Sequence, residues 1–248
     1  MYDPIAHYYH LIHQHHTADI PWVLRWAQGK ILELGCGSGR LLLPLAQAGH
    51  TAVGLDLSAE MLTLARAELA GHANVTLVQG DMAQFDLPQK PFDTAVVFCN
   101  TLLHLDNVAL GQMLRHTAVH LRPGGRLLID IPNPFMLAAA EDDDEPALEQ
   151  VFADPATGET VAQYSTQRLD ADRQLLTLTW TFVPQQNGRD LPEKQVQTTA
   201  VYHFYYPHQL QIALQAAGFE LETLAGNYAG DPFTEESDNL LLVAQRLS

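Results

Sequence analysis

Residues 31–40 read ILELGCGSGR, setting the carboxylate of Glu33 inside an apolar run and following it with Gly35, Gly37 and Gly39. A buried strand avoids an unpaired carboxylate, and glycines at alternate positions cost backbone entropy that only a tight turn or a close approach to a ligand justifies. A second carboxylate, Asp56, closes the next apolar run. It lies about 20 positions further on, the spacing at which doubly wound sheets place an acidic residue on ribose hydroxyls. Its two oxygens suit a vicinal diol. Asp56 could instead cap the following helix, although Ser58 is better placed for that. The loop departs from G-x-G-x-x-G because its third glycine arrives one residue early, and Glu33 would repel a diphosphate. The same charge favours an ammonium or a sulfonium. The ligand implied is a nucleoside carrying positive charge.

The elements that must hold these residues alternate. ILEL reads as a strand, RLLLPLAQAG as a helix with Pro44 in its first turn and Gly49 at its end, and HTAVGLD as the next strand. SAEMLTLARAELAG has apolar residues at helical spacing between Ser58 and Gly71. Strands NVTLVQGD and FDTAVVFCN, helix NVALGQMLRHTAVHL and strand GGRLLIDIP follow. This β-α order predicts a doubly wound, mostly parallel α/β sheet. Over 150–206 the period changes to two: Leu176, Leu178, Trp180 and Phe182 alternate with Thr177, Thr179 and Thr181. ETVAQYSTQRL, QLLTLTWTFV and KQVQTTAVYHFYY, separated by LDADR and PQQNGRD, predict a three-stranded antiparallel insertion. Its apolar face needs a cover, either the mouth of the main sheet or a second subunit, so a homodimer through the insertion is one expectation. The EDDDE run at 141–145 reads as a solvated loop. Helix PHQLQIALQAAG and strands FELETLAG and NLLLVAQRL return the chain to the sheet.

Composition narrows the partners. The 248 residues contain 13 Lys and Arg against 29 Asp and Glu, a formal charge of −16, which repels nucleic acid and anionic lipid. The first 16 residues lack the basic start and apolar run of a signal peptide, and no apolar stretch is long enough to span a membrane. A cytoplasmic protein is expected, with Cys36 and Cys99 as free thiols. His7, His10, His13, His15 and His16 include the i, i+3 spacing of metal ligands, but no carboxylate or cysteine pattern completes a set. They read as a stripe on a surface or lid helix, and no metal is expected.

ILELGCGSGR, VGLDLSAEML, VQGDM and LRPGGRLLIDIP, in this order and spacing, resemble the class I S-adenosylmethionine-dependent methyltransferases. The resemblance covers about residues 28–133, and YDPIAHYYH is similar to the Tyr-containing lead-in of the small-molecule branch. It implies one methyltransferase domain over 1–248: a seven-stranded Rossmann-like sheet whose last strand is antiparallel, a lead-in or lid at 1–27, and S-adenosyl-L-methionine as cofactor. It further implies that Gly35, Cys36 and Gly37 line the methionine moiety with Glu33 near its amino group. Asp56 would take the ribose, and Leu57 and Met61 would flank the adenine, met at its edge by Asp81 and the backbone of Met82. Tyr9, aligned better than Tyr8, would close over the cofactor. Asn100 would sit between cofactor and substrate, and His104 would face the substrate, as a general base where the acceptor is a hydroxyl, a neutral amine needing little help. CNTLLHL replaces the Asn-Pro-Pro-Tyr of DNA adenine and glutamine methyltransferases. The activity implied is methyl transfer to N or O of a small-molecule acceptor. Two other readings stand beside it: a sensor or assembly protein that binds the cofactor without catalysis, and an NAD-dependent oxidoreductase, which the glycine register and Glu33 oppose.

Overall fold

The computed structural model describes residues 2–186 and 188–248. In chain order the lead-in contributes a 3-10 turn at Asp3–Ile5, α1 (Ala6–His13) and α2 (Ile20–Trp26). Then come β1 (Lys30–Leu34), α3 (Leu42–Gln47), β2 (Thr51–Asp56), α4 (Ala59–Glu68), β3 (Val75–Gln79) and β4 (Phe92–Val97). A 3-10 turn at Thr101–His104 leads into α5 (Asn107–His120), β5 (Leu121–Pro132) and α6 (Pro134–Ala138). The insertion comprises β6 (Asp143–Ala153), β7 (Thr160–Asp170), β8 (Leu175–Gln186), β9 (Arg189–Asp190) and β10 (Val196–His203). Finally α7 (Pro207–Ala216), β11 (Phe219–Ala225) and β12 (Asn239–Arg246) close the chain.

The main sheet has seven strands in the order β11-β12-β5-β4-β1-β2-β3. Pairs β1–β2, β2–β3, β1–β4 and β4–β5 are parallel, while β12 runs antiparallel to both β5 and β11, as expected. Its central strands are buried on both faces, the pattern of a sheet covered by helices on two sides. Strand order reverses between β1 and β4, and such a switch point opens a crevice at the carboxyl ends of the strands. Ser58 caps α4, its hydroxyl accepting from Met61 N–H, and this sets the residues after β2 at the crevice edge.

The insertion differs from its sequence reading in extent. It forms a five-stranded antiparallel sheet, β10-β8-β7-β6 with β9 paired to β8, rather than three strands. The added strand β6 begins inside the acidic run read as a loop, and its side chains are almost all exposed. An exposed edge strand has no apolar alternation to reveal it; main-chain pairing with β7 and an Arg168–Asp144 ion pair hold it in place. The turn at PQQNGRD contains the short β9, and Asn187 within that turn lies outside the described residues.

The apolar face of the insertion is covered within the chain. Phe182 and Val161 pack on Ile5, joined by Tyr2, Tyr8, Tyr9 and Ile12 of the lead-in. Leu176, Ala200 and Tyr202 join the core of the main sheet through Leu102 and Leu103. The insertion therefore lies over the carboxyl ends of the strands, with the lead-in between.

Candidate functional site

One cavity of about 420 Å³ opens at the switch point, within the size range of small-ligand sites. It is bounded by the segments after β1, β2, β3 and β4, the last of which ends in His104, and by Tyr2, Tyr9 and His13 of the lead-in. Each strand end contributes a short loop because the parallel sheet directs all four chains out at the same edge.

The glycine loop is held open by backbone geometry. Gly35 has φ +71°, and a Cβ there would stand 2.2 Å from Thr101 Cγ2, so only glycine fits. At Gly37, also in the left-handed region, a Cβ would meet nothing within 4 Å, because this residue faces the cavity. Its N–H donates to Asp56 Oδ2 at 2.7 Å, while Asp56 Oδ1 accepts from Ser58 N–H at 2.9 Å. Each oxygen of an ionised carboxylate has further acceptor capacity. Burial raises the Asp56 pKa against the lowering pull of these N–H groups.

Glu33 sits on β1 directly beneath this loop, only 4% exposed. Its Oε2 is buried and has no hydrogen-bond partner among the described residues. Burial pushes its pKa up to about 8, with Arg40 pulling down and Asp19 and Asp56 pushing up. A buried, unsatisfied carboxyl beside a cavity is the signature of a site that expects a donor. The chemistry of the set fits a cationic nucleoside: a cation partner in Glu33 and diol acceptors on Asp56.

Arg40 and Asp19 were not among the residues singled out in the sequence. Arg40 donates through Nη1 to Asp19 Oδ1 and His16 O, each at 2.7 Å, and through Nη2 to Asp19 Oδ2 and Cys99 Sγ, each at 2.6 Å. The fully buried Asp19 thus ties the lead-in to the glycine loop and to the turn after β4. The arginine at the end of GCGSGR was a visible signal; Asp19, 21 residues upstream, gave none.

The remaining residues divide clearly. Gly35, Cys36, Gly37, Leu57, Met61, Asp81 and Met82 all line the cavity. Leu57 is 70% exposed and Met61 is buried, so the two offer an outer and an inner apolar surface. Asp81 accepts from Ala83 N–H at 2.8 Å. Tyr9 lines the cavity, stacked on His13 with ring centroids 3.9 Å apart, whereas Tyr8 turns away to stack on Phe182. Asn100 does not line the cavity: held at φ +62°, it is hydrogen bonded through its side chain to Tyr202, and its neighbours Cys99 and Thr101 face the space instead. The left-handed backbone turns the chain by one position, which strand alternation did not foretell.

His104 meets Tyr2 Oη through Nε2 at 2.9 Å, and its Nδ1 is buried without a partner among the described residues. Burial lowers its pKa to about 4, helped by His203. It is a neutral imidazole at physiological pH. Of the histidine stripe, His10 bonds Ser38 and His13 bonds the Tyr9 carbonyl. Among the described residues no group of three His, Cys, Asp or Glu side chains is placed to hold a metal ion.

Comparison with known proteins bears on this geometry. Residues 31–125 match the family described as Methyltransferase domain. The chain is 27% identical over 217 residues to the cypemycin N-terminal methyltransferase of a Streptomyces species, covering 87% of this chain and 82% of that one. It is 28% identical over 204 residues to the dTDP-3-amino-3,4,6-trideoxy-alpha-D-glucopyranose N,N-dimethyltransferase of Streptomyces venezuelae, covering 81% and 79%. Several other relatives match only in part, the chain spanning between 44% and 55% of their length. Among solved structures, an S-adenosylmethionine-dependent methyltransferase from Clostridium acetobutylicum ATCC 824 superposes with a TM-score of 0.79 at 16% identity, covering 100% of this chain and 99% of that one. The fold is shared across the whole length.

Proposed function

We propose that this chain, whose residues 31–125 match a methyltransferase domain, is a class I S-adenosylmethionine-dependent enzyme that methylates the nitrogen of a small-molecule amine. The observation that carries this reading is the orphaned Oε2 of Glu33 beneath a glycine loop whose Gly37 faces open space. Relatives that match most of the chain are named for transfer to nitrogen, one to a peptide terminus and one to an amino sugar.

When bound, S-adenosylmethionine supplies an electrophilic methyl group on a sulfonium. Glu33 would answer its amino group and Asp56 its ribose hydroxyls; Gly35, Cys36 and Gly37 would border the methionine portion. Leu57 and Met61 would clasp the adenine, with Asp81 and the Met82 backbone at its edge. The work left to the chain is alignment and exclusion of water, which can supply roughly 7–11 kcal/mol of an in-line displacement. Tyr2 and Tyr9 close the cavity from the lead-in side. The amine loses a proton to solvent, its lone pair forms the nitrogen–methyl bond, and the electron pair of the breaking bond stays on sulfur. His104, neutral and on the cavity wall, would hold the amine with its lone pair in line. Such an acceptor needs no strong base.

Two finer assignments complete the proposal. A cytoplasmic location accords with two unpaired thiols at the cavity and with a described chain in which no helix is long and apolar enough to cross a membrane. A homodimer through the insertion would use the open edge of β6, where Leu148 and Val151 are exposed; sedimentation equilibrium returning a monomer at all concentrations rejects it. The function itself is tested by calorimetric titration of ligand-stripped protein with S-adenosylmethionine, S-adenosylhomocysteine and NADH. Saturable binding of the first two alone is expected. Binding of NADH alone overturns the reading.

A further inference from the structure

We propose that the acceptor is an amine bearing no phosphate or carboxylate, received between an acidic cavity and an aromatic wall. This rests on the N-methylation reading above and narrows it to a substrate class.

Charge is the first ground. Of the ionisable side chains lining the cavity, Glu33, Asp56 and Asp81 are acidic, Glu33 ionising at neutral pH only beside a cation, and Arg40 is the single cation. All four Nη hydrogens of Arg40 are committed to Asp19, His16 O and Cys99. Asp19 neutralises it as well, so it presents no free fork to an anion. The two cavity histidines add no cation: burial lowers the pKa of His13 and brings that of His104 to about 4. A phosphate entering this space would shed its hydration without gaining a basic partner, a penalty that buried anions do not tolerate.

The wall opposite the glycine loop favours the reverse charge. Tyr2 meets Tyr9 edge to face at 4.9 Å and His104 at 5.4 Å, and His104 meets Tyr202 at 5.1 Å. Aromatic faces attract ammonium groups, and Tyr2, Tyr9 and His104 of this cluster line the cavity. The protein's net charge of −16 concentrates cations at its surface and repels anions. The dTDP-amino-sugar relative is named for an acceptor with a diphosphate; this cavity supplies no partner for one among its described lining residues.

Matched pairs test the assignment. Protein saturated with S-adenosylhomocysteine is titrated with ethanolamine against phosphoethanolamine, glucosamine against glucosamine 6-phosphate, and tyramine against its O-phosphate, with methylation of each followed by mass spectrometry under S-adenosylmethionine. The unphosphorylated member should bind about tenfold tighter or more. Ala109→Lys, which places a cation at a partly exposed cavity position, should narrow the gap several-fold. Equal or tighter binding of the phosphorylated members overturns the proposal, and so does an absence of binding by every amine. Titration of the same preparation with S-adenosylmethionine separates the two levels: if it fails to bind, the methyltransferase reading falls as well; if it binds, only the acceptor class is lost.

Discussion

The two walls of the cavity are built on opposite principles. The glycine-loop wall comes from four strand ends that one parallel sheet delivers to a single edge, and its polar atoms are pinned by local backbone contacts such as Gly37 N–H to Asp56. The aromatic wall is assembled from segments about a hundred residues apart in sequence, Tyr2 to His104 and His104 to the insertion's Tyr202. The first wall carries carboxylates and, in the proposed function, meets the methyl donor; the second carries aromatic rings and, in that same proposal, meets the acceptor.

The largest expected effects break the first wall. Gly35→Val puts a side chain into Thr101 and forces a β-branched residue to φ +71°. Left-handed strain and overpacking together should cost about 2–5 kcal/mol of stability, read by urea denaturation, with cofactor binding lost alongside. Unchanged stability and affinity would mean that the loop relaxes freely and is no cradle. Asp56→Ala should weaken S-adenosylmethionine by about 1–3 kcal/mol, since it strands hydroxyl donors and also frees Gly37 N–H. Full affinity in calorimetry would take Asp56 out of the site.

The same contrast governs what could be read from sequence. Strand, loop, helix and carboxylate lie within residues 31–61, so their periodicity and spacing were legible, and all the proposed cofactor residues of that segment do line the cavity. The doubly wound, mostly parallel class of the main sheet was legible too, because buried parallel strands are near-continuous apolar runs, whereas its seven-strand extent and antiparallel last strand were implied by the family resemblance. Strand β6 was not, since an exposed edge strand owes its existence to main-chain pairing with β7 rather than to side-chain pattern. Nor was the Asp19–Arg40 pair, whose partners meet only after folding. Asn100 illustrates a finer limit: two successive left-handed residues, Cys99 and Asn100, redirect the chain, and the positions on either side of Asn100 take its place at the cavity.

Breaking the second wall should spare the first. His104→Ala should lower kcat by about 10–100-fold, at or below the lower end of what a positioned proton acceptor contributes, with calorimetric affinity for S-adenosylmethionine nearly intact. A large loss of cofactor affinity would join the two walls into one functional unit.

Glu33 allows a test by pH. Its folded pKa of about 8 lies above its ordinary value of 4.5, so the folded state holds a proton that the unfolded state has released. Its stabilising contribution is therefore complete below pH 4.5 and declines as pH rises toward 8. Glu33→Gln should flatten that decline in urea titrations run across the interval. An ammonium placed beside Glu33 favours its charged form, so cofactor binding at pH 7 should release a proton in the wild type and none in Glu33→Gln. Calorimetry in buffers of different ionisation enthalpy counts that proton; equal counts in both proteins would remove Glu33 from the ligand.

The smallest effect separates neighbours on one helix. Tyr8 stacks on Phe182 with centroids 5.3 Å apart and serves the insertion, while Tyr9 lines the cavity. Tyr8→Leu should cost about 1 kcal/mol of stability through lost ring contact and leave ligand affinities alone, because no cavity surface changes. Tyr9→Leu should disturb binding with a comparable loss of stability, since it removes a ring from the cavity and uncovers His13. If both variants changed affinity equally, the lead-in would act by docking as a whole onto the insertion, and the aromatic wall would be one rigid body rather than a set of separate side-chain contacts.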